Sequence, residues 1–155
     1  MDGALETVHA TAIAVNGHAA LITGPSGAGK SDLALRCLTL GTSAMLPHAA
    51  RLIADDRVIL ERVGDQLMAS APAAIAGKLE VRNIGIVEVQ PSPPAPVRLV
   101  VELGGSQRAA RLPDPWPTKI ILGLHVPVLQ IAAFEAAAPQ KVMIALQTAS
   151  LPTVC

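Results

Sequence analysis

Residues 24–31 read GPSGAGKS. Gly24, four intervening residues, then Gly29, Lys30 and Ser31 make the spacing of a phosphate-binding P-loop. Glycines there let the chain turn so that successive backbone N–H groups point inward and cradle phosphate oxygens. Pro25, Ser26, Gly27 and Ala28 complete the cradle, and a helix opening at Lys30 adds its positive N-terminal end. The Lys30 ammonium is placed to reach the β- and γ-phosphates, and the Ser31 hydroxyl to meet Mg²⁺. A chance match is the competing explanation. The apolar AALIT before the loop and the helical pattern after it argue against chance. ATP with Mg²⁺ is therefore the expected ligand.

A P-loop holds phosphates but does not say where one of them goes. Phosphoryl transfer also needs metal ligands and a group that activates the acceptor. Asp55 and Asp56 follow the apolar run Arg51–Ala54, at the end of an expected strand, where clefts form in open α/β sheets. Successive strand residues face opposite ways, so the two aspartates should do different jobs. One suits the Mg²⁺ sphere and the other suits proton acceptance from the attacking hydroxyl. A turn residue or helix cap is the plainer alternative for either one. Glu80 and Arg82, two apart in KLEVRNIGI, would share a strand face and read most simply as an exposed charge pair. His9, alone in an apolar run, reads most simply as structural.

These groups need elements to hold them. Val8–Val15 and Ala19–Thr23 are expected strands, with Asn16-Gly17 as a hairpin turn between them. Lys30–Leu40 carries Leu33, Cys37 and Leu40 at helical spacing, and Gly41 is a stop. Arg51–Ala54 is a strand, Arg57–Arg62 continues or returns it, and Gln66–Ala69 follows a Gly64-Asp65 turn. Lys78–Val89 reads as strand with Gly85 inside it, a sign of a bulge or a close approach. Gln90–Val97 is proline-rich and reads as an exposed loop. Val97–Leu103 is a strand, Arg108–Lys119 is irregular, Ile120–Ile131 holds one or two strands, and Lys141–Ser150 is a closing helix. Together they give an α/β domain with a mixed sheet.

Composition narrows the classes. A chain of 155 residues that is 51% hydrophobic and 15% charged has the apolar content for a core and is unlike a disordered chain. With one Phe, one Trp and no Tyr, the core must be built from Ala, Val, Ile and Leu. Twelve basic and twelve acidic residues leave no electrostatic footprint for nucleic acid, and the missing aromatics leave no stacking platform for a single strand. Cys37 and Cys155 do not form a disulfide framework. Asp2 and Glu6 stand where a signal peptide would be basic, and the apolar stretch Ile120–Phe134 is short and broken by His125 and Pro127. A cytoplasmic protein with no membrane and no nucleic-acid partner is expected.

His9, then GPSGAGKS, then LIADD (Leu52–Asp56), then LEVRNIGI (Leu79–Ile86), in this order, resemble HPr kinase/phosphorylase. The likeness runs from about Val8 to Pro127 and is nearest to the short proteobacterial form. The LEVRNIGI-type signature downstream of ADD is its specific part. The resemblance implies a P-loop-containing kinase domain with a mixed β-sheet, similar to the HPr kinase catalytic domain. It implies one catalytic domain over residues 1–155, without an N-terminal regulatory domain. Its activity would be transfer of phosphate from ATP to a serine of an HPr-like phosphocarrier, with removal by phosphorolysis to pyrophosphate, in a homohexamer. On this resemblance Lys30 binds phosphates, Ser31 and Glu80 hold Mg²⁺, and Asp55 supports metal and nucleotide. Asp56 is the base towards the acceptor and the acid in reversal, His9 sits in the active site, and Arg111 of ARLP matches a family arginine. The chain departs from the pattern at Asn83, where the signature carries Gly, and in a longer Thr42–Ala50 connection. Ala132–Lys141 also lacks a basic, Gly-containing loop, a departure that bears on phosphorolysis more than on kinase activity. A small-molecule P-loop kinase and a nucleotide-sensing module without turnover are the alternatives.

Overall fold

The structure, a computed structural model, describes residues 3–104, 115–148 and 154. Arg111 lies outside them. The elements are β1 (Leu5–Val8), β2 (Thr11–Val15), β3 (His18–Thr23), α1 (Lys30–Leu38), β4 (Ala50–Ala54), β5 (Val58–Val63) and β6 (Gln66–Ser70). After a 3₁₀ turn at Ala73–Ile75 come β7 (Lys78–Val81), β8 (Gly85–Glu88), β9 (Ala95–Glu102), β10 (Thr118–Ile121), β11 (Leu124–Gln130) and α2 (Ala138–Gln147). No helix among the described residues is long and apolar enough to cross a membrane.

Nine strands form one mixed sheet in the order β1-β5-β6-β9-β3-β2-β4, with β11 pairing β9 and β10, while β7 and β8 make a separate hairpin. The centre reads as continuous apolar sequence because both of its faces are covered. On one face Ile13, Ile22, Leu99 and Val101 meet Leu33, Cys37, Val142 and Met143 of the two helices. On the other, Ala12, Leu21 and Val100 meet Leu60, Leu67 and Val126 of the outer strands, so the sheet curls over itself. Small residues on this second face allow that close approach without aromatics.

Two irregularities adjust the sheet. The β3–β9 register slips between Ala19 and Ala20, leaving Arg98 extra, so Val97 and Leu99 serve opposite cores despite their spacing of two. The β2–β4 register slips between Ala12 and Ile13, leaving Ile53 extra just before Asp55.

Strand direction creates the site. β3, β9 and β11 run parallel. β4 is antiparallel to β2, which is antiparallel to β3, so β4 points the same way as β3. The C-terminal ends of β3, β4, β9 and β11 therefore open at one end of the sheet, where ligands of α/β domains bind.

The expected strand Val8–Val15 is two strands. β1 pairs β5, β2 pairs β3 and β4, and His9 lies in the bend between them, not on a strand. Lys78–Val89 is a hairpin because Asn83 turns the chain at φ 73°. Asn tolerates the left-handed region, so it serves where the signature carries Gly. β9 begins inside the proline-rich stretch, at Ala95. α2 starts three residues early, at Ala138, because Pro139 fits the first helical turn.

Candidate active site

The P-loop is fastened to β9. Thr23 Oγ1 donates to the Val101 carbonyl at 3.3 Å, and the Leu103 N–H donates to the Thr23 carbonyl at 2.9 Å. Gly29 turns the chain into α1 at φ 99°, where a Cβ would stand 2.8 Å from Phe134 Cζ and 3.1 Å from Ala133 Cβ. The conformation favours glycine there, and the Phe134 ring rests close to where a Cβ would stand. Lys30 is only 7% exposed. Its Nζ folds back to donate to the carbonyls of Gly24 at 2.8 Å and Pro25 at 3.1 Å, inside the loop that it closes.

Asp55 is 6% exposed and fully engaged. Its Oδ1 accepts from Ser31 Oγ at 2.6 Å and Thr11 Oγ1 at 2.9 Å, and its Oδ2 accepts the Glu80 N–H at 3.1 Å. One carboxylate thus joins β2, the start of α1 and β7. Buried ionic groups persist when their lone pairs are satisfied in this way.

Asp56, one residue on, has the opposite surroundings. Its side chain is 64% exposed, and Oδ1 stands 3.4 Å from His9 Nδ1. The Arg57 N–H reaches the Asp55 carbonyl at 2.8 Å, which closes a γ-turn centred on Asp56 at φ 70°. That turn is rare and strained, and it swings the Asp56 carboxylate away from the buried one. The Asp56 N–H also points to Thr11 Oγ1 at 3.4 Å.

A cleft of about 410 Å³ opens between the P-loop and the β7–β8 hairpin. His9, Lys30, Ser31, Asp56 and Glu80 all border it, and so do Arg82 and Phe134. Glu80 and Arg82 line the same opening, both exposed, and form no ion pair with each other. Among the sequence candidates only Arg111 is not placed. Thr11 and Phe134 were missed. Neither has a local signature, since Thr11 matters only through Asp55 and Phe134 only through Gly29.

Among the described residues no three His, Cys, Asp or Glu side chains cluster as a metal cage. Mg²⁺ does not need one, because it binds through one or two carboxylates, waters and substrate phosphates. The oxygens of Ser31 and Asp55, in contact at 2.6 Å, and the Glu80 carboxylate at the cleft match that donor chemistry. Cys37 takes no part. Burial pushes its thiol up from 9.0 to about 12, against a smaller opposing effect of Arg36.

A P-loop at the end of a parallel strand, with a strand-end aspartate on its serine, is the architecture of a P-loop kinase domain. The chain belongs to the HPr Serine kinase C-terminal domain family, which it matches over residues 4–149. It is 39% identical over 84 residues to an HPr kinase/phosphorylase of Lactobacillus delbrueckii subsp. bulgaricus, which is 54% of this chain and 24% of that protein. It is 33% identical over 137 residues to an HPr kinase/phosphorylase of Limosilactobacillus reuteri, which is 81% of this chain and 40% of that protein. The chain therefore spans less than half the length of these relatives. The structure of the Hpr(Ser) kinase/phosphatase from Coxiella burnetii is similar at a TM-score of 0.74 and 27% identity, covering 92% of this chain and 88% of that one.

Proposed function

We propose that this chain is an ATP-dependent protein-serine kinase acting on an HPr-like phosphocarrier. The carrying observation is the contrast between adjacent aspartates, one locked under the P-loop and one open at the mouth. The floor suits a phosphate chain, and the exposed carboxylate suits an acceptor that arrives from outside on a protein surface.

In this reading the N–H groups of Gly27, Gly29 and Lys30 and the Lys30 ammonium bind the β- and γ-phosphates. Ser31 and Glu80 would hold Mg²⁺, with Asp55 orienting the Ser31 hydroxyl from behind. The ion, when bound, neutralises charge on the β- and γ-phosphates. The acceptor serine oxygen attacks the γ-phosphorus in line. The new O–P bond forms as the bond to the β-phosphate oxygen breaks and ADP leaves, while Asp56 takes the serine proton. His9, beside Asp56, orients that carboxylate. Catalysis is mainly positioning and charge stabilisation. We further propose a homo-oligomer, hexameric as the family resemblance implies, working in the cytoplasm.

The test is incubation with γ-labelled ATP, Mg²⁺ and the HPr-like carrier of the same cell, beside a carrier whose acceptor serine is replaced by Ala. Label on the first and not the second is expected. Added phosphate with the labelled carrier then tests reversal, in which phosphate oxygen attacks the phosphoserine, Asp56 returns a proton to the serine, and pyrophosphate leaves. Bound ATP with no label on either carrier would overturn the protein-kinase reading in favour of another acceptor or a sensing module.

A further inference from the structure

Phe134 is the chain's one phenylalanine, and it is 70% exposed. A ring so open contributes little to the core. It is nonetheless held in place. Gly29 leaves the seat against which it rests, since a Cβ there would come within 2.8 Å of Cζ. The Arg36 guanidinium lies 5.9 Å from the ring centroid and donates to the Ala133 carbonyl, tying this segment to α1. Arg36 is itself anchored to Asp32 at 2.9 Å. The outcome is an aromatic face fixed at the edge of the P-loop cleft.

Topology says what that edge is for. Through the site the strands run β11, β9, β3, β2, β4. Asp55 and Asp56 follow β4, two strands to one side of the P-loop strand β3. Phe134 follows β11, two strands to the other side. A nucleoside triphosphate whose γ-phosphate faces Asp56 must run its ribose and base the opposite way, towards Phe134. We infer that Phe134 is the stacking platform for the nucleobase, held there by Arg36 and seated by Gly29.

This rests on the nucleotide reading above and adds a specificity consequence. Stacking uses the face that every base has, so the platform accepts purines without reading their edges. ADP and GDP should bind within a few-fold of each other.

The test compares ADP with inorganic pyrophosphate, which carries the two phosphates without a base, by calorimetry on the whole chain. Phe134→Ala should weaken ADP about tenfold, within the range of aromatic–base stacking, and leave pyrophosphate within about twofold. Phe134→Trp should restore ADP. Unchanged ADP affinity in Phe134→Ala would overturn the assignment, and loss of carrier labelling alongside it would make the ring a carrier contact. An equal loss of ADP and pyrophosphate would overturn it too, since the ring would then only be supporting the loop. If the unaltered chain bound neither ligand, the P-loop reading would fall with it.

Discussion

The floor and the rim of the cleft are built by opposite rules. On the floor, Lys30 and Asp55 are almost fully buried and their polar atoms are paired within the protein. On the rim, His9, Asp56, Glu80 and Arg82 are exposed, and the β7–β8 hairpin carries Ile84 and Ile86 open to solvent at 76% and 63%. Burial fixes geometry by making every unmade hydrogen bond costly. Exposure leaves groups available to something larger. The floor is set before any ligand arrives, whereas in the proposed reading the rim is left open for the acceptor.

Breaking each region separately should separate binding from transfer. Lys30→Ala on the floor should abolish both nucleotide binding and turnover, read by calorimetry and by carrier labelling. Asp56→Asn on the rim should lower turnover by about 10²–10⁴, as loss of a positioned base does, and leave ATP affinity within about twofold. Equal losses of binding in both variants would erase the distinction. Glu80→Gln should raise the Mg²⁺ concentration for half-maximal activity several-fold with little change in thermal stability. An unaltered metal titration would remove Glu80 from the metal site and leave it a plain exposed charge. Thr11→Val removes one of three donors to Asp55 and should cost about 1–2 kcal/mol in denaturant unfolding, with turnover falling less than in Asp56→Asn.

The smallest effect should come from Cys37, away from both regions. Its raised value means that the folded state holds the proton more tightly than the unfolded state. The contribution is complete below about pH 9 and is lost as pH rises towards about 12. Cys37→Ala should therefore flatten the alkaline fall in stability, and the native thiol should alkylate far more slowly than the unfolded one.

The chain order of His9, GPSGAGKS, Asp55-Asp56 and LEVRNIGI was legible without coordinates, because each lies in a local pattern. So were the strand–loop–helix unit and the presence of a mixed sheet, since apolar runs and glycine punctuation report backbone preferences directly. Boundaries were less legible. Nothing in VHATAIAV marks a break at His9, because the break exists to let β1 join β5 while β2 joins β4. The proline-rich run hid the first residues of β9, since Pro96 pairs only with β6 at the start of the strand.

By itself the sequence determined the P-loop, because glycines at fixed offsets and an adjoining Lys-Ser set a local backbone shape whatever surrounds it. It also determined that two carboxylates stand together after a strand. Only the tertiary structure decided which of them is buried and which stands open. Thr11, Ser31 and the Glu80 N–H come from three distant segments and close on Asp55, while the γ-turn sends Asp56 outward. The placing of Phe134 against Gly29 was likewise decided only when β11 took its place beside β9. Hydrogen bonds and burial join residues far apart in the chain, and spacing along a sequence carries no record of which distant strand becomes a neighbour.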